Sequence, residues 1–202
     1  MRNFGAVLAM ALAAAACDSD GSGPAGRPDA DLRVVRQDTL APSLVNPRDS
    51  MWAKVGDGRE LRIWYRDEET PSDTGEEFLR FEVPGDGLYR RPDGTAFRAG
   101  DSILIRVSVV DSARVLFQFE PAGLRFNPEQ PARLKIRYVY ADKDFDGDGA
   151  PDPDDEAIET LLGLWRQPVA GGSWFKLDAV KFQELDEISA NLVGFSRFAV
   201  AW

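Results

Sequence analysis

The residues best suited to chemistry lie in one acidic stretch, Asp142–Glu156, which carries eight carboxylates and one lysine within fifteen residues. Oxygen-rich loops bind hard cations such as Ca2+ when several carboxylates converge on one point. The stretch follows the calcium-loop pattern D-x-[DN]-x-[DN]-G-x5-E when it is read from Asp144. In that register the predicted ligands are Asp144, Asp146, Asp148, the carbonyl of Ala150, Asp152 and Asp155. The sequence therefore predicts one structural Ca2+ site here.

Two features qualify the pattern. A register beginning at Asp142 fails because its closing position falls on Pro153, which has no carboxylate. In the register that fits, Asp155 stands where glutamate is usual, and its shorter side chain makes a weaker closing contact. The segment DFDGDGAPDPDD resembles one calcium-binding repeat of the thrombospondin type-three family, which implies a single site. The alternative is a solvated acidic turn, in which like charges repel one another without a bound cation.

Composition excludes several classes of function. The chain has 202 residues, a net charge of −10 and 44% hydrophobic residues, enough for one well-packed domain. It contains no histidine, which excludes serine and cysteine triads and histidine-ligated zinc hydrolases. Its single cysteine excludes an internal disulfide. The acidic balance, with no basic patch, argues against a nucleic-acid partner.

The chain begins with a predicted secretory leader, MRNFGAVLAMALAAAAC. Arg2 supplies the positive charge, and Phe4–Ala16 is an apolar run too short to span a bilayer. Small residues before Cys17 resemble the bacterial lipobox, which implies cleavage by signal peptidase II and a diacylglyceryl group on that cysteine. The alternative is a secreted protein cut after Ala16. Asp18 resembles an inner-membrane retention signal in some bacteria, so the choice of membrane stays open.

These features predict three regions. Residues 1–16 form a lipoprotein signal peptide, and residues 17–45 form a lipid-anchored flexible tether rich in Gly, Pro, Asp and Ser. Within the second region, Val34–Val35 is compatible with an edge strand. Residues 46–202 form the folded domain.

That domain alternates apolar and polar residues with a period of two, which is typical of half-buried strands. The clearest run has Ile103, Ile105 and Val107 on one face. Similar alternation occurs around residues 61–65, 79–83, 115–119, 134–140, 187–192 and 197–202. Frequent Gly and Pro turns separate these runs. The pattern predicts an all-β, antiparallel β-sandwich with the acidic loop inserted between two strands.

The stretch after the acidic loop, Ile158–Trp165, fits either a helix or a strand. We predict a helical turn near Asp154–Glu159, capped by Asp154, and then a strand from Thr160 to Arg166. A hairpin through Gly171-Gly172 leads into a further strand, Trp174–Leu177.

The second half of the chain resembles ZU-five-like domains of bacterial envelope proteins, relatives of a domain in zonula occludens proteins, netrin receptors and ankyrins. The resemblance covers about Phe78–Trp202 and is strongest over 121–202. The matching positions are Gly123, Leu124, Phe126, Pro131, Leu134, Ile136, Trp174, Leu177, Phe195, Ser196, Phe198 and Ala199. The resemblance implies an all-β interaction module in which these residues form core and turns, with no common enzymatic activity.

Three functions follow as expectations. The first is a non-catalytic envelope lipoprotein that presents a calcium-stabilised sandwich to an envelope protein or glycan, with the membrane contacted through lipidated Cys17. The second is a glycan-binding module, for which the tryptophans supply flat apolar surfaces; these are Trp52, Trp64, Trp165, Trp174 and Trp202. The third is a glycoside hydrolase built on two carboxylates, drawn from Glu68, Glu69, Glu76 and Glu77.

Overall fold

The computed structural model describes residues 26–67, 69–70 and 73–202. The leader, Cys17 and the first part of the predicted tether lie outside these residues. The strands, in chain order, are β1 (Arg48–Lys54), β2 (Arg59–Arg66), β3 (Thr74–Val83), β4 (Leu88–Arg90), β5 (Ser102–Asp111), β6 (Leu116–Glu120), β7 (Arg125–Phe126), β8 (Ala132–Arg137), β9 (Gly163–Gln167), β10 (Phe175–Lys176), β11 (Ala179–Phe182), β12 (Glu187–Leu192) and β13 (Arg197–Ala201). One α-helix, α1, spans Pro153–Leu161, and short 3-10 turns lie at Asp29–Asp31 and Gln183–Leu185.

The strands form two large antiparallel sheets. Sheet A has six strands in the order β1-β5-β6-β13-β9-β10, and sheet B has five in the order β11-β12-β8-β3-β2. A small pair, β4-β7, stands apart from both. The sheets pack face to face through buried aromatic rings: Phe81 of sheet B lies 5.0 Å from Phe119 of sheet A, centroid to centroid. The predicted all-β antiparallel sandwich is confirmed.

Alternation along the strands explains which face is buried. In β2, Leu61, Ile63 and Tyr65 are buried while the residues between them are more exposed. In β3 a β-bulge interrupts the alternation. Leu79 pairs with Ile63 and Glu77 pairs with Trp64, which leaves Phe78 as the extra residue of the bulge. The bulge places Phe78 and Leu79 together in the core and turns Glu77 to the outer face.

The helix is capped two residues earlier than the sequence predicts. Asp152, not Asp154, is the N-cap: its side chain accepts the backbone N–H groups of Asp154 and Asp155. Pro153 follows as the first helical residue, where its missing N–H costs nothing. The ambiguous stretch resolves as a helix to Leu161 followed by β9 from Gly163, close to the predicted order of elements.

Residues 26–45 do not behave as a tether. Val34 bridges Ala201 of β13, and the backbone N–H of Val45 donates to the carbonyl of Trp64 in β2. Leu32 and Val34 pack against the outer face of sheet A, in a second apolar cluster with Leu116, Trp165, Trp174, Ala199 and Ala201. The folded body therefore already includes Arg27 and does not start at residue 46. The many Gly, Pro and Asp residues obscured a short apolar segment that closes this face.

Candidate metal centre

The acidic loop connects β8 to α1 and is held to the N-terminal segment at its start. The guanidinium of Arg36 lies 2.9 Å from the carboxylate of Asp142, and the backbone N–H of Asp142 donates to the carbonyl of Arg36. Further along, the ring of Phe145 is buried edge-on against Trp202, with centroids 5.7 Å apart. The loop is thus fastened to both ends of the described chain.

Three of the predicted ligands converge. Asp144, Asp146 and Asp148 each offer a carboxylate oxygen within 4.8 Å of the others. Asp144 is half-buried, whereas Asp146 and Asp148 are exposed. A cation accessible from solvent can therefore contact all three carboxylates at once.

Backbone hydrogen bonds preform this arrangement. Asp144 accepts the N–H groups of Gly147 and Gly149, one on each carboxylate oxygen, at 2.9 and 3.0 Å. Both glycines have positive φ, 84° and 114°, which L side chains rarely adopt. The loop therefore turns around Asp144, as a metal-binding loop of this spacing requires.

The clustered carboxylates affect each other electrostatically. The N–H of Asp148 donates to Asp146 at 3.0 Å and lowers the pKa of Asp146. Desolvation and the nearby carboxylates, Asp148 foremost, outweigh that hydrogen bond, so the pKa of Asp146 is raised overall. A bound divalent cation would remove this repulsion.

Asp155 occupies a different position from those three. Its side chain is only 3% exposed, and it accepts the N–H groups of Phe145 and Asp146 on one oxygen and that of Asp152 on the other. Burial raises its pKa, but these three donors prevail and hold the pKa below its ordinary value. Asp155 thus fastens the loop to the start of α1.

Asp152 and Ala150 lie on the helix side of the loop. Asp152 caps α1 and completes a reciprocal capping box with Asp155. The backbone N–H of Ala150 donates to Asp148 at 3.3 Å. Among the described residues, the three-carboxylate group contains neither Asp152 nor Asp155.

Lys143 is the loop's single basic residue, and it points away from the aspartate cluster. Its ammonium lies 2.9 Å from Glu159 of α1 and 2.7 Å from Asp186 before β12. Burial lowers its pKa, but the two carboxylates outweigh burial and raise it. Lys143 therefore ties the loop to the helix, and its ion pairs are with Glu159 and Asp186 rather than with the three clustered aspartates.

The donor set fits a hard cation. Three carboxylates at alternate positions, followed by glycine, suit Ca2+, which takes six to eight oxygen ligands in flexible geometry. Asp144, Asp146 and Asp148 would hold the ion directly, and the ion would neutralise their charge. The chemistry available at this centre is cation binding, with stabilisation of the loop as its consequence.

The tryptophans divide into buried and accessible groups. Trp174 and Trp165 are buried, and their indole N–H groups donate to Asp29 and to the carbonyl of Ala201. Trp52, in contrast, is 61% exposed on β1, and Trp64 is half-buried on the outer face of sheet B. The second apolar cluster, which sequence reasoning missed, accounts for the burial of Trp165 and Trp174.

Two of the four predicted hydrolase carboxylates, Glu76 and Glu77, are engaged in ion pairs. Glu77 lies 2.8 Å from Arg80 and 3.0 Å from Lys135, and Glu76 pairs with Arg137. Burial raises the pKa of Glu77, yet these cations lower it overall. A general acid needs a raised pKa, so Glu77 is unsuited to that role. Glu68 lies outside the described residues.

Within residues 26–67, 69–70 and 73–202, no helix has the length and apolar character needed to cross a membrane. No family model, curated protein or solved structure matches this chain.

Proposed function

We propose that this chain is a lipoprotein of the bacterial cell envelope, anchored through Cys17, whose β-sandwich binds one Ca2+ and serves as a non-catalytic interaction module. The observation that carries the calcium site is the convergence of Asp144, Asp146 and Asp148. The anchor rests on the leader and on the single cysteine that follows it. The partner is an envelope protein or glycan.

Ca2+ acts structurally in this proposal. The loop joins three parts of the fold: Arg36 of the N-terminal segment through Asp142, Trp202 through Phe145, and α1 through Asp155. Neutralising the aspartates holds the loop in the conformation that makes these contacts. Binding to the folded chain alone then adds to the free energy of unfolding by mass action.

The ligand shell is proposed in two parts. Asp144, Asp146 and Asp148 bind the ion directly, and the carbonyl of Ala150, Asp152 and Asp155 complete the shell as the loop pattern predicts. Direct ligation by Asp155 requires its carboxylate to share oxygens that already accept three N–H groups. The first three ligands are therefore the core of the proposal.

Thermal unfolding tests the calcium site. The full chain, purified in a non-ionic detergent, is melted in EDTA and in Ca2+ or Mg2+ at 1 mM. When free Ca2+ is a hundredfold above Kd, the gain is about 2.7 kcal/mol, which raises the Tm of a domain of this size by about 5–10 °C. Mg2+ should give a smaller shift because it demands near-octahedral geometry. Identical Tm values in EDTA and Ca2+ would remove the site from the proposal.

Metabolic labelling tests the anchor. The full chain is expressed in bacteria fed an alkyne analogue of palmitate, beside a Cys17→Ser variant. We expect label on the wild type, none on the variant, and accumulation of the unprocessed precursor when signal peptidase II is inhibited. Unlabelled wild-type protein released into the medium would instead support a secreted protein cut after Ala16.

A further inference from the structure

The outer face of sheet B carries a groove that the calcium site does not use. The groove has a volume of about 440 Å³, within the range typical of small-molecule sites. Trp64 of β2 stands at one side, and Leu185, 54% exposed, stands at the other. Charged side chains from β3, β8 and β12 form the floor between them.

The floor is balanced in charge. Its acidic residues are Glu76, Glu77 and Glu187, and its basic residues are Arg80, Arg137 and Lys135. Each acid is already paired: Lys135 lies 3.0 Å from Glu77 and 3.3 Å from Glu187, and Arg137 contacts Glu76. An ionic ligand would therefore bring a charge for which this floor has no free counter-charge.

The paired groups nevertheless keep unused hydrogen-bonding capacity. Arg80 donates its Nε and Nη2 groups to Glu77, which leaves its other nitrogen for a ligand. The side chains of Arg80, Lys135 and Arg137 are about a quarter to a third exposed. Such a floor offers donors and acceptors side by side, which suits hydroxyl groups because each hydroxyl both donates and accepts.

Each edge strand of sheet B carries an aromatic residue: Trp64 lines the groove, and Phe182 lies beyond its lining. Phe182 of β11, 44% exposed, pairs with Glu187, which pairs in turn with Arg137. At the opposite edge of the same sheet face, Trp64 pairs with Glu77 across the bulge. Four strand spacings separate β11 from β2, about 19 Å. This span exceeds one sugar ring and fits a chain of several rings that crosses the strands.

We propose that this groove binds an uncharged oligosaccharide, with Trp64 packing against a sugar ring in the groove, Phe182 packing against a ring beyond it, and the charged floor bonding to hydroxyls. The indole supplies a flat apolar surface for the C–H face of a ring. The β-bulge at Phe78 serves this site because it turns Glu77 outward beside Trp64. The site shares no residue with the calcium loop, so the proposal stands independently of the cation.

Affinity electrophoresis with soluble polysaccharides tests the proposal. The full chain in non-ionic detergent is run through native gels containing mixed-linkage β-glucan, glucomannan, dextran or polygalacturonate, and Kd is measured for a hexasaccharide of any retarding polymer. We expect retardation by at least one uncharged polymer and none by polygalacturonate. Trp64→Ala should weaken binding at least tenfold and Phe182→Ala at least threefold. Trp52→Ala is the matched control, since Trp52 is an exposed tryptophan on sheet A, and it should bind as the wild type does.

Four outcomes would overturn the proposal. These are no retardation by any uncharged polymer, equal or stronger retardation by polygalacturonate, wild-type affinity in both groove variants, and an equal loss in Trp52→Ala.

Sedimentation velocity adds one more: a dimer of the wild type that Trp64→Ala dissociates would assign the groove to a second copy of this chain. The melting temperature of each variant shows whether it is folded. If Trp64→Ala does not fold, the affinity of Phe182→Ala tests the proposal instead.

Discussion

The carboxylate of Asp155 accepts the backbone N–H of Phe145 at 2.6 Å, across ten residues of an acidic loop. This contact joins the first turn of α1 to the point where the loop enters the core. It gives one aspartate of the predicted ligand set a task that does not depend on a cation. The roles of the loop aspartates can therefore be separated by mutation.

Asp148→Ala should abolish the difference in Tm between Ca2+ and EDTA and leave the Tm in EDTA nearly unchanged. Asp148 is exposed and belongs to the three-carboxylate group, so its removal deletes a ligand without disturbing the core. Differential scanning calorimetry in the two buffers provides the measurement. Asp142→Ala is the matched control, because Asp142 pairs with Arg36 outside that group. A calcium effect that Asp148→Ala retains in full would contradict the assignment.

Asp155→Asn should lower the Tm in EDTA as well as in Ca2+. The amide cannot accept all three backbone N–H groups that the carboxylate accepts, and a buried donor left without a partner is costly. Comparing the two buffers separates anchoring from ligation. A variant that melts like the wild type in EDTA and loses only the calcium response would show that Asp155 acts chiefly as a ligand.

Asp29→Ala should destabilise the chain by about 2 kcal/mol, because it leaves the buried indole N–H of Trp174 without an acceptor and removes one of the two acceptors of the Gln167 amide. Asp29 accepts the indole N–H of Trp174 at 2.7 Å and the amide of Gln167 at 3.0 Å. Urea denaturation followed by tryptophan fluorescence gives the free energy of unfolding. Asp31→Ala, in the same 3-10 turn and exposed, is the control and should change little. Equal stability of both variants would mean that the N-terminal segment does not contribute to the folded body.

Glu77→Gln should destabilise the chain at pH 7 by about 1–2 kcal/mol, a value reduced for the partly exposed cations around the carboxylate. The cations Arg80, Lys135 and Arg62 surround Glu77, and its pKa lies below the ordinary 4.5. The stability that ionised Glu77 provides is complete above about pH 4.5 and is lost as pH falls through the lower folded pKa. Urea titrations between pH 7 and pH 3 should show the two proteins converging in acid. A gap that stays constant with pH would contradict the ion-pair explanation.

The sequence predicted most of the longer strands because apolar and polar residues alternate over much of their length. Ile103, Ile105 and Val107 lie on one face of β5, and Leu192 ends β12 as expected. It missed β4 and β7, which are only three and two residues long and have too few positions to show a period. The bulge at Phe78 shifts the period by one residue, so alternation continued back from Leu79 would place Glu77 on the wrong face of β3.

The candidate site was predictable in part for a similar reason. Alternate aspartates with a following glycine indicate a turn with converging carboxylates, and Asp144, Asp146 and Asp148 do converge. The pattern does not distinguish a ligand from a helix cap, since both need a carboxylate oxygen near a backbone turn. Asp152 directly precedes α1, whereas the sequence predicted the cap at Asp154, so the capping role of Asp152 was not foreseen.

The early start of the folded body limits the reach of the lipid anchor proposed at Cys17. Arg27 is already bridged to Trp174, so only nine residues would lie between an acylated Cys17 and Arg27. A fully extended segment from Cys17 to Arg27 would span about 35 Å, against about 100 Å if the tether continued to residue 45. If Cys17 is lipidated as proposed, the folded body would stay close to the headgroups of its own bilayer, and its partner would have to reach that surface.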